Sequence, residues 1–259
     1  GKEDSNSDKI NKEIKSKQIK NALSYIIFFL FGMRKLYKFI FKNCKKQIVQ
    51  TMCIFENEQN YPILFHCVHG KDSTGIISAL LYIIKDKSHV NIDNICIDYS
   101  QSEQNLKDIN IAENDPMYLP KDLYETKHYV IGNVILTELL LPYLKSIEKS
   151  SNNSINNSIN NFINNYDLIE EIEEFDNDIE KKWSDLIKNK IDYLNSVTNN
   201  DSKKDLENII ENYHLDNQKI FNKFLENNSD KVNSNLYESL KYYLKGKNIN
   251  LDKIYDNLK

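Results

Sequence analysis

Hydrophobic residues recur every three or four positions through most of this chain, a pattern typical of helices that bury one face. The spacing predicts helices over about 21–57, 73–86, 91–111 and 120–148. One apolar run is different: ILFHC (63–67) is short and follows the turn-forming NEQNYP (57–62). A run of this kind is typical of a buried strand. The order predicted around it is therefore strand, glycine-containing loop and helix.

The second half of the chain opens with an asparagine repeat, SSNNSINNSINNFINN (150–165). A marginal helix is one interpretation, but a disordered insertion is favoured because asparagine is a poor helix former. The next segment, 166–194, predicts a long amphipathic helix whose acidic run is a solvated face rather than a metal site. Its apolar stripe consists of Leu168, Ile172, Phe175, Ile179, Trp183, Leu186 and Leu194. The predicted organisation is a polar tail (1–20), a core (21–149), an asparagine-rich and acidic insertion (150–211) and C-terminal core helices (212–259).

Composition argues against several classes of protein. A formal net charge of −4 gives no general attraction to nucleic acid, and 40% hydrophobic residues are compatible with a packed core. Cys44, Cys53, Cys67 and Cys96 form no CxxC pair, and we identify no secretory leader. These features favour a reducing, cytoplasmic environment and argue against a disulfide framework or a zinc site.

A membrane contact is an alternative for one segment. ALSYIIFFLFGM (22–33) is densely apolar but only twelve residues long, whereas a bilayer core requires about 20. A buried helix is therefore the favoured interpretation. The following RKLYKFIFKNCKK (34–46) interleaves cations with apolar residues, which suits peripheral contact with anionic lipid as well as an ordinary amphipathic helix.

The candidate chemistry lies in HCVHGKDSTG (66–75). A helix N-terminus after a glycine-containing loop presents unpaired N–H groups, here those of 68–74, to one anion. Gly70 permits an unusual backbone angle, and Gly75 permits close packing at the helix start. The same dipoles would lower the pKa of the Cys67 thiol and make it a nucleophile. The alternative is that this cysteine is a small buried hydrophobic residue.

This loop resembles the HCxxGKDRTG signature of the protein tyrosine phosphatase superfamily, and within it the tyrosine/serine and phosphoinositide phosphatases. Segments 36–67 and 236–259 also resemble that family, as does NIDNICIDYSQSEQNL (91–106) with Asp98 and Tyr99 at matching places. The likeness covers about 21–110 and 212–259. The family's N-terminal strands, with their Arg-Asp-Leu-Gly-Gly motif, have no counterpart here. The resemblance implies a helix-dominated α/β fold of three layers, with a small central sheet that lacks those strands.

The resemblance also implies a role for each matching residue. Cys67 would attack phosphorus to give a thiophosphate, and Asp72 would protonate the leaving oxygen and then activate water. Lys71 would contact substrate phosphate and extend the range to phosphoinositides, Thr74 would hydrogen-bond the thiolate, and His66 would support the cysteine. The phosphate-binding set is Val68, His69, Gly70, Lys71, Ser73, Thr74 and Gly75. No metal or cofactor is implied, and the partners would be a phosphorylated protein or a phosphoinositide.

Ser73 departs from the family pattern, which has arginine at this position. An arginine makes two charge-assisted hydrogen bonds to phosphate oxygens, whereas serine is uncharged and short. Three interpretations stay open: a weakened phosphatase, a pseudophosphatase that binds phosphate or protein, and an active enzyme into which Ser73 was introduced. Weak activity is favoured because Cys67 and Asp72 remain.

Overall fold

The computed structural model describes residues 32–106, 127–151, 159–196 and 202–259. Helices make up most of these residues. We number them in chain order as α1 (32–43), α2 (Lys45–Glu56), α3 (Ser73–Lys85), α4 (Ile92–Leu106), α5 (His128–Ile135, continuing through a π-helical Leu136–Leu140 into Leu141–Ser151), α6 (Ile159–Ser196), α7 (Ser202–Leu244) and α8 (Leu251–Asn257).

The helices predicted from apolar spacing are confirmed wherever the structure describes the chain. The predicted 21–57 helix is divided into α1 and α2 by a break at Cys44. Several predictions fall outside the described residues. They concern the polar tail (1–20), most of the apolar segment 22–33 and the outer parts of two predicted helices (107–111 and 120–126).

The predicted central sheet is wrong: the described residues contain no strand. Segment 63–67 is neither helical nor paired with another segment, and the Leu64 side chain is 90% exposed. A strand is stable only when a neighbour satisfies its N–H and C=O groups and when at least one of its faces is covered. No described segment supplies that neighbour, so an apolar run that suits a strand adopts no sheet structure. The described part of the protein is therefore helical rather than α/β.

Segment 61–67 is held instead by the C-terminal end of α2. Asn257 donates hydrogen bonds to the carbonyls of Phe55 (3.1 Å) and Glu56 (3.0 Å), and the Tyr61 hydroxyl donates to Phe55 O (3.0 Å). These bonds satisfy carbonyls that a helix end leaves without an intrahelical partner. The Phe65 ring packs edge-on against Phe55, with ring centroids 5.4 Å apart. Tyr61 and Phe65 thus attach the segment before the 66–75 loop to Phe55 of α2.

Helix α5 lies at the centre of the core, packed against α4, α6 and α7. By length and composition, His128–Ser150 is the one described helix that could cross a membrane. However, 61% of its apolar window is buried inside the protein, as in the core helix of a soluble protein. Its fully buried apolar side chains include Ile131, Val134, Ile135, Leu136, Leu139, Leu140 and Leu144.

The long helix α6 belongs to the same core. It begins at Ile159, so the helical alternative holds for the second half of the asparagine repeat, while 152–158 lie outside the described residues. Side chains of the predicted stripe pack inward, and α6 runs against α7. Buried or partly buried members are Leu168, Ile172, Phe175, Ile179, Trp183 and Leu186, while the side chain of Leu194 is not described.

A partly buried group of charges joins α1, α5 and α6. The Arg34 side chain is only 7% exposed and donates to Asp176 Oδ1 (2.6 Å) and to Glu180. Lys38 Nζ contacts both oxygens of Asp176, at 2.7 and 2.8 Å. Asn133 Nδ2 donates to Asp176 Oδ1 as well, at 3.1 Å. Asp176 and Glu180, predicted on a solvated face, therefore pair with cations of the segment for which lipid contact was an alternative, while the Glu180 side chain stays 47% exposed.

Candidate active site

The Cys67 thiol sits before the N-terminus of α3 and is partly accessible to solvent. Burial by itself raises its pKa. The Thr74 hydroxyl and the backbone N–H groups of Thr74, Gly70 and His69 lie near the thiol, and together they outweigh that effect and lower the pKa from 9.0 to about 7. Donors to a thiolate stabilise its charged form. The thiolate form of Cys67 is therefore favoured relative to an ordinary cysteine, and loop amides lie beside it.

Two glycines shape this loop for different reasons. Gly70 has φ +69°, and no atom lies within 4 Å of the place where a Cβ would stand. Its requirement is therefore conformational, because L side chains rarely adopt that backbone angle. Gly75 is required for space, since a Cβ there would lie 2.9 Å from Cδ2 of Tyr99. The close approach of α4 thus fixes the start of α3.

Asp72 occupies the N-cap position of α3, but its carboxylate makes no capping hydrogen bond to that helix. An aspartate there would ordinarily accept from the N–H groups of the first turn. Its Oδ1 accepts instead from the Tyr37 hydroxyl (2.5 Å) and from Lys71 Nζ (2.7 Å). Asp72 therefore does not occupy the first-turn amides, and the Thr74 amide is directed to Cys67.

The remaining predicted residues lie around the same loop but differ in accessibility. The Lys71 side chain is fully buried and its ammonium lies against Asp72. Ser73 and Val68 are exposed, with Ser73 as the first residue of α3. The His66 ring is also exposed, and its Nδ1 lies 3.3 Å from the backbone oxygen of Cys67.

No arginine of this chain takes the place that Ser73 leaves. The sequence contains a single arginine, Arg34. Its side chain is buried and engaged by Asp176 and Glu180 of α6. A phosphate in the loop therefore has no guanidinium from this chain and relies on backbone N–H groups and the α3 N-terminus.

A cysteine before a helix N-terminus, beside loop amides and with an aspartate five positions later, is the arrangement that a cysteine-dependent phosphatase would use. The family model of the tyrosine phosphatase family matches residues 29–257. The chain therefore belongs to the tyrosine phosphatase family, and this membership implies phosphorylated substrates in general. It matches none of the curated proteins and none of the solved structures with which it was compared.

Sequence reasoning missed Tyr37 as a member of this site. Tyr37 lies on α1, 35 positions before the aspartate that it contacts, and in the sequence it is one apolar residue among several. The sequence marks Tyr99 only as part of an Asp-Tyr pair. Its hydroxyl lies 2.7 Å from that of Tyr37, whereas the neighbouring Asp98 is exposed. No local signal marks Tyr37, because its role depends on how α1 packs against the loop.

Alkylation of Cys67 tests the geometry of the thiol directly. We expect iodoacetamide modification of the Cys67 peptide, followed by mass spectrometry against pH, to show a midpoint at about 7. Thr74→Val removes a hydroxyl that stabilises the thiolate, so the midpoint should rise. Ser88→Ala, an exposed hydroxyl beyond the end of α3, is the control and should leave it unchanged. A midpoint near the ordinary thiol value of 9.0 would mean that the amides do not converge on the sulfur.

Proposed function

We propose that this chain hydrolyses phosphate monoesters through a covalent Cys67 intermediate, at a rate weakened by Ser73. The observation that carries the proposal is the position of Cys67, which is partly accessible before the N-terminus of α3 and near the N–H groups of His69, Gly70 and Thr74, consistent with the lowered pKa of its thiol. A buried structural cysteine has no need of such donors. Cys96 provides the contrast within this chain, because burial raises the pKa of its thiol far above the ordinary range.

The reaction has two steps. Cys67 Sγ attacks phosphorus, so that an S–P bond forms while the bond to the leaving oxygen breaks, and Asp72 gives that oxygen a proton. Water then attacks phosphorus, Asp72 takes a proton from it, and the thiolate leaves as inorganic phosphate forms. The loop amides and the α3 N-terminus stabilise the charge on the phosphoryl oxygens in both steps.

The substrates proposed are phosphotyrosine or phosphoserine in proteins, or the phosphate groups of phosphoinositides. A lysine at position 71 favours phosphoinositides only if it can reach the substrate, and the Lys71 ammonium is buried against Asp72. We therefore favour protein substrates. Comparing release of phosphate from phosphotyrosine peptides and from phosphoinositide vesicles distinguishes the two classes.

A second function is favoured by Ser73 and by the engagement of Arg34 elsewhere. In this second function, the loop without an arginine would be a pseudophosphatase site that holds a phosphorylated partner through its amides and does not turn it over. Such a site would be stabilised thermally by inorganic phosphate, and Cys67→Ser would leave this effect unchanged.

Turnover of p-nitrophenyl phosphate separates the two functions. We expect slow release of p-nitrophenol, a covalent phosphate on the Cys67 peptide after acid quenching, and loss of both in Cys67→Ser. Cys53→Ser changes an exposed cysteine on α2 and should retain both, which makes it the matched control. Turnover that survives Cys67→Ser contradicts the proposed mechanism. Absence of turnover together with stabilisation by phosphate supports the binding function.

A further inference from the structure

The proposed acid of the reaction is held by a group of side chains that the mechanism above does not use. Tyr37 is fully buried, and its hydroxyl lies 2.5 Å from Asp72 Oδ1 and 2.7 Å from the Tyr99 hydroxyl. The two tyrosine rings meet edge-on, with centroids 6.1 Å apart. Lys71 Nζ lies 2.7 Å from the same Asp72 oxygen. One carboxylate oxygen therefore receives two donors from the interior of the protein.

The direction of the Tyr37 bond follows from its surroundings. Burial, the neighbouring Tyr99 and the Asp72 carboxylate all raise the pKa of Tyr37 well above its ordinary value. The hydroxyl therefore keeps its proton at any pH where a phosphatase works, and a protonated hydroxyl beside a carboxylate donates to it. The Lys71 ammonium has no acceptor atom and can only donate.

A carboxyl oxygen that accepts two such hydrogen bonds cannot also carry the acid's own proton. We propose that Tyr37, supported by Tyr99, is a positioning residue that occupies Asp72 Oδ1 and leaves Oδ2 to carry the transferable proton. This inference rests on the proposed function. Oδ2–H would give its proton to the leaving oxygen as the P–O bond breaks, and the Oδ2 carboxylate would take a proton from the attacking water as the S–P bond breaks. The buried donors also prevent the carboxylate from turning to cap α3.

Leaving-group dependence tests this role without confusing it with general destabilisation. A nitrophenolate leaves with little help from an acid, whereas a phenolate needs a proton as it leaves. A misplaced Asp72 therefore slows the reaction of phenyl phosphate more than that of p-nitrophenyl phosphate. We expect Tyr37→Phe to lower kcat/KM for phenyl phosphate, which reports the S–P bond-forming step alone, by about 10-fold or more, a part of the 10²–10⁴ that a general acid contributes. For p-nitrophenyl phosphate, kcat/KM should change by less than about 2-fold under the same principle, because its leaving group needs little protonation in that step. Tyr99→Phe should act in the same direction with a smaller effect.

Tyr129→Phe is the matched control, because it removes a hydroxyl from another buried tyrosine whose partner is His214 Nδ1 at 2.8 Å. It should leave the ratio of the two substrates unchanged. All variants are compared in the chain as it is and with Ser73→Arg. Equal loss on both substrates, or no loss in Tyr37→Phe, would overturn the positioning role while the phosphatase function stands. Absence of Cys67-dependent turnover in both backgrounds would remove the reaction itself and this inference with it.

Discussion

Replacing Ser73 with arginine is expected to raise turnover of p-nitrophenyl phosphate by at least about 10²- to 10³-fold. One preorganised donor to a developing oxyanion contributes about 2.7–4 kcal/mol, and a bidentate guanidinium exceeds a single neutral donor. Ser73 is exposed at the first position of α3, so a longer side chain has room to extend toward the loop. The chain's single arginine cannot supply this effect, because Arg34 is held by Asp176 and Glu180.

Two variants show whether the gain comes from the guanidinium fork. Ser73→Lys adds charge without bidentate geometry and should recover only part of the rate. Ser88→Arg adds the same guanidinium at an exposed position beyond the other end of α3 and should recover none. The rate is measured as Cys67-dependent kcat/KM. If Ser73→Arg gains no more than Ser88→Arg, the loop is not a weakened catalytic site and the binding function is preferred.

Removing Arg34 is expected to lower the free energy of unfolding by about 3 kcal/mol. Breaking a buried ion pair by deleting one partner costs about 3–5 kcal/mol, because the other charge stays buried. The lower end applies here because Lys38 still contacts Asp176 and the Asp176 side chain is 30% exposed. Arg34→Met keeps much of the side-chain volume and removes the charge. Urea denaturation of this variant and the unchanged chain measures the difference.

Lys241→Met is the control for that experiment. Lys241 forms an exposed ion pair with Glu238 at 2.9 Å, and exposed pairs contribute about 0–1 kcal/mol. If Arg34→Met and Lys241→Met lower the free energy of unfolding equally, the Arg34 pair stabilises the fold no more than an exposed pair does.

The pH dependence of the Arg34→Met effect gives a second check. Burial raises the pKa of Asp176, but the hydrogen bond and charge of Lys38 and the charge of Arg34 lower it overall from 3.8. A lowered carboxyl pKa stabilises the fold above 3.8, and this contribution is lost as pH falls through the folded-state value. The Arg34→Met difference should therefore shrink in acid.

The helices follow from the sequence because their apolar period is a local property. The strand at 63–67 does not, since ILFHC satisfies the composition of a strand but a strand also needs a neighbour. The described chain provides none, and Phe65 and Tyr61 attach the segment to the end of α2 instead. The apolar stripe of α6 likewise predicted an amphipathic helix, but its packing against other helices depends on the rest of the fold.

The sequence by itself determined which residues of this protein are available for the proposed loop chemistry. The thiol of Cys67, the amides of His69 and Gly70, and Thr74 lie within eight consecutive residues, and a helix start orients such donors with little help from the rest of the fold. Only the tertiary structure decided which side chains hold the aspartate and where the arginine is engaged. Tyr37 meets Asp72 across 35 positions, and Arg34 meets Asp176 across 142, because helices far apart in the chain pack side by side. A charged group that is removed from water needs a partner from the protein, and packing decides which group is near enough to pair with it. No local pattern in the sequence encodes that partner.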